Sequence, residues 1–213
     1  MKFIGELSPD QLSSVAGRDV PRETCDRLRE YAALLTAEAL RQNLVSRGTL
    51  ETLWERHILD SAQLLRFETK PGASWADIGS GAGLPGLVIA ILSQGPVTLI
   101  EPRRLRTEFL GRVIHALGLA DRVTVFAGRA ENASGSFDVI TARAVAPLDR
   151  LLGLSTHLST GKTLWVLPKG RSAQSELAEA RKRWHCEAQI VASLTDPDAG
   201  ILLVRDVKAK GGR

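Results

Sequence analysis

Apolar positions in the first seventy residues recur at helical spacing. Ser8-Pro9-Asp10 places a capping serine before a proline at a first helical position. Pro21 opens a longer helix with Cys25, Leu28, Tyr31 or Ala32, and Leu35 on one face, a period near 3.6. Leu50, Leu53, Trp54, Ile58 and Leu65 predict another helix. Lys70-Pro71-Gly72 is a turn-like break. Beyond it the pattern changes to short apolar runs alternating with helical stretches. Strands are expected over 74–78, 97–100, 122–126, 137–141 and 162–167. Helices are expected from Leu84, over 103–117 up to Gly118, over 148–157 and over 172–184. Strands separated by helices mean βαβ units and a mainly parallel sheet with helices on both faces. The last pair, 186–193 and 201–206, is joined by Asp196-Pro197-Asp198-Ala199-Gly200. That link is too short for a crossover helix, so the pair should be antiparallel. The expected organisation is a helical N-terminal extension over 1–70, a Rossmann-like α/β core over 71–207 and a flexible tail over 208–213.

Composition narrows the class. The chain has 213 residues, 44% of them hydrophobic and 24% charged, which suits one folded domain with a small extension and excludes disorder. No apolar run is long enough to span a bilayer, and the N-terminus lacks the long apolar core of a signal peptide. A cytoplasmic protein without a membrane partner is expected. Cys25 and Cys186 show neither a CxxC nor a zinc spacing, so they read as reduced thiols and no metal is implied. The net charge of +4 is unevenly placed. Residues 1–70 carry ten Lys and Arg against eleven Asp and Glu, whereas 71–213 carry 18 against 13. The cationic excess therefore belongs to the βαβ segment, which allows a polyanionic partner.

Candidate chemistry concentrates in Asp77-Ile-Gly79-Ser-Gly81-Ala-Gly83-Leu84-Pro-Gly86, between a strand and a helix. Gly81, Gly83 and Gly86 match GxGxxG, and Glu101 stands at the downstream distance from Gly81 expected of a ribose-binding acid, so a dinucleotide reading is open. Asp77 bears on the choice. A carboxylate about 4 Å from a pyrophosphate would repel it by about 4 kcal/mol at an effective dielectric near 20. S-adenosylmethionine has no phosphate and carries a cationic ammonium and sulfonium, so the same acid becomes useful. Glu101, at the end of the second strand, can accept hydrogen bonds from both ribose hydroxyls. The plain alternative is a turn-capping role for Asp77. Only about half of the chain follows Glu101, which leaves little room for a dehydrogenase's substrate domain.

These residues resemble a known family. The glycine loop with its Gly83-Leu84-Pro85-Gly86, then Glu101, Arg129-Ala130-Glu131, Thr141-Ala142-Arg143-Ala144-Val145-Ala146 and Pro168-Lys169-Gly170 are similar to the bacterial small-subunit rRNA guanine-N7 methyltransferases, the RsmG or glucose-inhibited division protein B family. Asn43-Leu44 and Arg56-His57-Ile58-Leu59-Asp60-Ser61 also match the family pattern. The resemblance implies a class I S-adenosylmethionine-dependent methyltransferase fold, Rossmann-like and seven-stranded, behind a helical extension. It implies S-adenosylmethionine as cofactor, S-adenosylhomocysteine as product and 16S rRNA in the small ribosomal subunit or its precursor as partner. A monomer is expected. The implied reaction is methylation of N7 of one guanine in the helix 18 loop. By motif position Gly79 and Leu84 line the cofactor with Asp77, Gly81, Gly83 and Glu101. Ala130 and Glu131 lie near its adenine, and Arg143 stands between methyl donor and RNA. The family's paired lysines after the second strand are absent, and Leu105 stands within Arg103-Arg104-Leu105-Arg106. Arg104 is the residue expected to supply that charge.

Guanine N7 offers a lone pair and no proton, so in-line attack on a sulfonium methyl requires no general base. Positioning would then supply most of the catalysis. Arg143 and Lys169 are the candidate catalytic residues, holding phosphate or O6. Asn43, His57, Asp60, Arg104, Arg106 and Arg129 are the candidate substrate contacts. Blander readings stand beside these: His57 as a packing histidine paired with Asp60, and Arg181-Lys182-Arg183 as a solvated helix face. His115, His157 and His185 read as surface or packing residues, and Trp75 and Trp165 as core. Two other functions remain open, an NAD-dependent oxidoreductase and a non-catalytic ribosome-associated binding module.

Overall fold

In the computed structural model, residues 8–42, 44 and 52–211 are described. Asn43, Leu50 and the end of the tail lie outside them. Helix α1 (Pro9–Ala16) starts as its sequence predicts: the Ser8 hydroxyl accepts the Gln11 N–H at 3.1 Å, and Pro9 takes the first helical position. Helix α2 (Arg22–Ala39) buries Cys25, Leu28, Tyr31, Ala32 and Leu35, the whole expected stripe. The next helix departs from expectation. Residues 54–67 form a composite of π-helix (Trp54–Leu59), one α-turn (Asp60–Ala62) and 3₁₀-helix (Gln63–Phe67). The wider π-turn keeps Trp54, Ile58 and Leu59 buried while Arg56, His57 and Asp60 line a cleft. A spacing of 54, 58 and 65 fits a regular helix equally well, so the irregularity left no mark in the pattern.

The core is a seven-stranded sheet in the order β3-β2-β1-β4-β5-β7-β6. Its strands are β1 (Trp75–Ile78), β2 (Val97–Ile100), β3 (Val123–Phe126), β4 (Val139–Ala142), β5 (Leu164–Lys169), β6 (Trp184–Ala192) and β7 (Gly200–Ala209). β1 to β5 are parallel, and β7 runs antiparallel to β5 and β6, as the short final link requires. The crossovers carry α3 (Gly86–Leu92), α4 (Arg104–Ala116), α5 (Leu148–Ser155) and α6 (Ala173–Ala180). Several expected boundaries move, and two of the moves bear on the last strands of the sheet. Trp184 leaves the helix and opens β6, where its indole donates to Asp149 Oδ1. β7 continues through Ala209, opposite Trp184, so Lys208 and Ala209 belong to the sheet and not to the tail.

Period-two alternation divides the apolar residues between the faces. Trp75, Leu99, Val139 and Val166 join the cluster with α1 to α4, while Ala76, Ile78, Ile140 and Trp165 join the cluster with α5 and α6. Trp75 and Trp165 are both core residues. Cys25 lies in the first cluster and Cys186 packs against the second, and both are free thiols. The N-terminal helices share the first cluster with the sheet, so they are part of its packing. No helix of the described residues is long and apolar enough to cross a membrane.

Tyr31 joins the N-terminal helices to the glycine loop. It is fully buried, and its hydroxyl donates to the Ala82 carbonyl at 2.9 Å. Tyr31→Phe leaves that buried carbonyl unpaired and is expected to cost about 1–2 kcal/mol in a urea titration. An unchanged midpoint would show that the bond contributes nothing.

Candidate functional site

The strand order reverses between β1 and β4, so their carboxyl ends flank a crevice. The candidate residues gather along this edge. Gly79 follows β1, Glu101 follows β2, Arg143 follows β4 and Lys169 ends β5.

On the loop side, Asp77 is 1% exposed and lies on the sheet face covered by α3. Its Oδ2 accepts the Gly86 N–H at 3.0 Å. The capping reading is thus realised for one oxygen. Oδ1 is buried with no partner. Burial pushes the carboxyl up to about 6, against the downward pull of the Gly86 N–H. Glu101, 2% exposed, accepts Gly81 N–H and Arg103 N–H on separate oxygens, each at 2.9 Å, which leaves lone pairs for further donors. Gly79 and Gly81 hold φ of +69° and +56°, the left-handed region that favours glycine. Gly83 serves packing, since a Cβ there would lie 2.3 Å from Leu87 Cδ1, and Leu84 is buried.

A cavity of about 250 Å³ runs from Gly79 past Ile100 to Arg129, Ala130 and Glu131. Arg129 therefore lies among the residues expected near the cofactor. Arg106 does too, with Nη1 3.8 Å from Glu101 Oε2. Arg104 is 80% exposed and paired with Glu108 at 2.6 Å. None of these three arginines lines the larger cleft expected to take substrate.

That cleft, about 850 Å³, is lined by His57 and Asp60 from the composite helix, Arg143 to Pro147, Lys169, Glu176 and the turn between β6 and β7. Arg143 Nη1 stands 3.1 Å from His57 Nδ1 and 3.4 Å from Asp60 Oδ2. A guanidinium only donates, so Nδ1 accepts and the imidazole proton sits on Nε2. Burial, then the Arg143 charge, lowers the His57 pKa to about 4, so the ring is neutral at neutral pH. Lys169 Nζ pairs with Glu176 Oε2 at 2.7 Å and donates to the Ala146 carbonyl at 3.3 Å. Burial raises the Glu176 carboxyl, but hydrogen bonds from Lys169 and Ser172 hold it below its ordinary range.

Val145 and Ala146 line both cavities, so the two spaces share one wall. A Cβ on Gly79 would lie 2.6 Å from Val145 Cγ2, and Ala144 takes φ +55° to bring that loop across. Sequence reasoning did not single out Gln63, Thr195, Glu176 or Tyr31 as site residues. Their partners are distant in sequence or carry no motif.

A family model described as rRNA small subunit methyltransferase G, GidB, matches residues 24–200. The chain belongs to this family. It is 46% identical over 200 residues to the ribosomal RNA small subunit methyltransferase G of Zymomonas mobilis, covering 90% of each chain. It is 52% identical over 188 residues to that of Novosphingobium aromaticivorans, covering 86% of this chain and 81% of that one. In fold it resembles a SAM-dependent methyltransferase from Aquifex aeolicus, at TM-score 0.56 and 14% identity over 72% of this chain and 92% of the other. A ribosomal protein L11 methylase from Lactobacillus delbrueckii gives TM-score 0.54 and 16% identity over 73% and 80%. The expected seven-stranded, mostly parallel methyltransferase fold is thus the observed one.

The residues present fit S-adenosylmethionine. Two buried acids flank the loop, and one keeps an unpartnered oxygen, a poor seat for pyrophosphate and a good one for cations. The raised Asp77 carboxyl makes the ligand-free protein less stable as pH rises from about 4 through 6, because the folded state then gives up a proton it holds more tightly than the unfolded chain. The full effect is roughly 3 kcal/mol. Asp77→Asn should therefore melt higher than the parent at pH 8, with the gap closing toward pH 4. A gap independent of pH would refute this.

Proposed function

We propose that the protein moves the methyl group of S-adenosylmethionine to N7 of a guanine in the helix 18 loop of 16S rRNA. Membership of the small-subunit rRNA methyltransferase family carries the coarser statement, an S-adenosylmethionine-dependent rRNA methyltransferase. The observation that carries the site is the two buried acids bound to the glycine loop, Asp77 at Gly86 N–H and Glu101 at Gly81 N–H, beside a cavity that shares Val145 and Ala146 with the cleft holding Arg143.

When bound, S-adenosylmethionine supplies an electrophilic methyl on a cationic sulfur. Asp77 and Glu101 offer carboxylate oxygens to a cation and to hydroxyl donors, and Ala130 and Glu131 bound the cavity that suits an adenine. Guanine N7 has no proton to lose, which agrees with a cleft whose histidine is neutral and held by Arg143. Arg143 has guanidinium donors for the base edge or a phosphate. Lys169 is better suited to a neutral carbonyl such as O6, since Glu176 at 2.7 Å would repel a phosphate placed beside it. Asp60 puts a negative charge near the base, which gains positive charge on methylation.

Two measurements test the reading. Calorimetry with S-adenosylmethionine should show binding to the parent and none to Asp77→Ala or Gly79→Trp; unchanged affinity in both would remove the cofactor assignment. With under-methylated small subunits, mass spectrometry of the rRNA should find one new methyl at guanine N7. Label appearing only in protein or a small metabolite would overturn the substrate.

A further inference from the structure

Arg143 follows β4 on the loop that crosses Gly79, and a long side chain there needs restraint to hold one direction. The restraint comes from two remote segments. Asp60 Oδ1 accepts from Gln63 Nε2 at 2.9 Å and from Thr195 Oγ1 at 3.0 Å. With that oxygen taken by two donors, the carboxylate cannot turn, and Oδ2 is left 3.4 Å from Arg143 Nη1. Gln63 is 1% exposed. Its Oε1 accepts the Leu194 N–H at 2.8 Å, which settles the direction of the amide, because a backbone N–H only donates. Its Nε2 serves Asp60 and shares the remaining proton between Ser193 Oγ at 3.1 Å and Thr195 Oγ1 at 3.0 Å. The turn after β6 is thereby tied through Asp60 to the arginine on the β4 loop, although Thr195 and Asp60 are remote in sequence.

We propose that Thr195 and Gln63 are positioning residues that aim Arg143 through the Asp60 carboxylate. This rests on the reading of Arg143 as a group at the methyl-transfer site. Thr195 lines the cleft, is half-buried and belongs to neither core cluster, so its hydroxyl can be removed with little disturbance of the core.

The test uses the full chain, S-adenosylmethionine and under-methylated small subunits. Thr195→Val keeps the shape and removes the hydroxyl, and kcat/KM should fall about tenfold, in keeping with the sensitivity of aligned reactions to small misplacements. Thr195→Ser should recover most of that loss, with melting temperatures of all three proteins agreeing within about 2 °C. In an Arg143→Lys background the Thr195→Val step should cost less than twofold, because the aimed group is already altered. Gln63→Met, measured the same way, is the second probe and should also lose its effect in that background. The inference is overturned if Thr195→Val stays within twofold of the parent. It is equally overturned if Thr195→Ser is no better than Thr195→Val, or if the loss is undiminished beside Arg143→Lys, the result expected of a direct contact or a purely structural role. An inactive parent would instead bring down the functional reading and the inference with it.

Discussion

The Asp77 carboxylate is the constraint on which the site depends. All seven residues of α3 are buried, so water cannot satisfy the N–H groups at its first turn. The Asp77 side chain, coming up from β1, takes one of them through Gly86. Gly86 must then be glycine, because a Cβ would lie 2.6 Å from that same oxygen. A charge buried for this reason is costly unless something positive meets it. The unpartnered Oδ1 records that imbalance, and a cationic ligand would relieve it. In the proposed site, local architecture and ligand chemistry thus share one residue. A pyrophosphate would deepen the imbalance, which weighs against the dinucleotide reading on physical grounds.

The rest of the site is arranged around that point by topology. A sheet that reverses its order between β1 and β4 brings Gly79 and Arg143 to one crevice, although two strands and their helices intervene in the chain. The N-terminal helices then complete the crevice from the other side. Tyr31 holds the glycine loop at Ala82, while His57 and Asp60 hold Arg143. The segment expected as an extension of the core is therefore part of the site's walls. Its apolar side chains share one buried cluster with the sheet, which packs these contacts against the core.

The legible parts of the chain were those where one local rule dominates. A single 3.6 stripe gave α2 its buried face, and Ser8 with Pro9 fixed the start of α1. Asp77 and Glu101 were readable because chain distance and strand ends coincide in a βα unit. The composite helix was not, since π, α and 3₁₀ turns can all keep Trp54, Ile58 and Leu65 inside. Nor could spacing pair Gln63 with Thr195 or Lys169 with Glu176, since each pairing depends on tertiary placement. Arg106 and Arg129 are expected substrate contacts; the structure sets Arg106 beside Glu101 and Arg129 beside Ala130, because the turn after β2 and the loop after β3 open onto the same edge of the sheet.

The mild positive balance of the sequence takes on a different meaning beside these contacts. In the cleft Arg143 faces Asp60 and Lys169 faces Glu176, and next to it Arg171 faces Asp198. Each pair is close to neutral as seen from a distance, so these cations present donors without a strong field. Long-range attraction to a phosphate chain scales with unbalanced charge, and at physiological salt it fades over about 8 Å. Direction and shape remain, and those are properties a paired cation keeps: its partner fixes where its other N–H bonds point. For the proposed substrate, a cleft built this way would discriminate by the placement of base-edge acceptors more than by affinity for the RNA backbone. In the reaction proposed above, it suits a guanine already presented in a folded loop, with the ordering supplied by the particle that carries it.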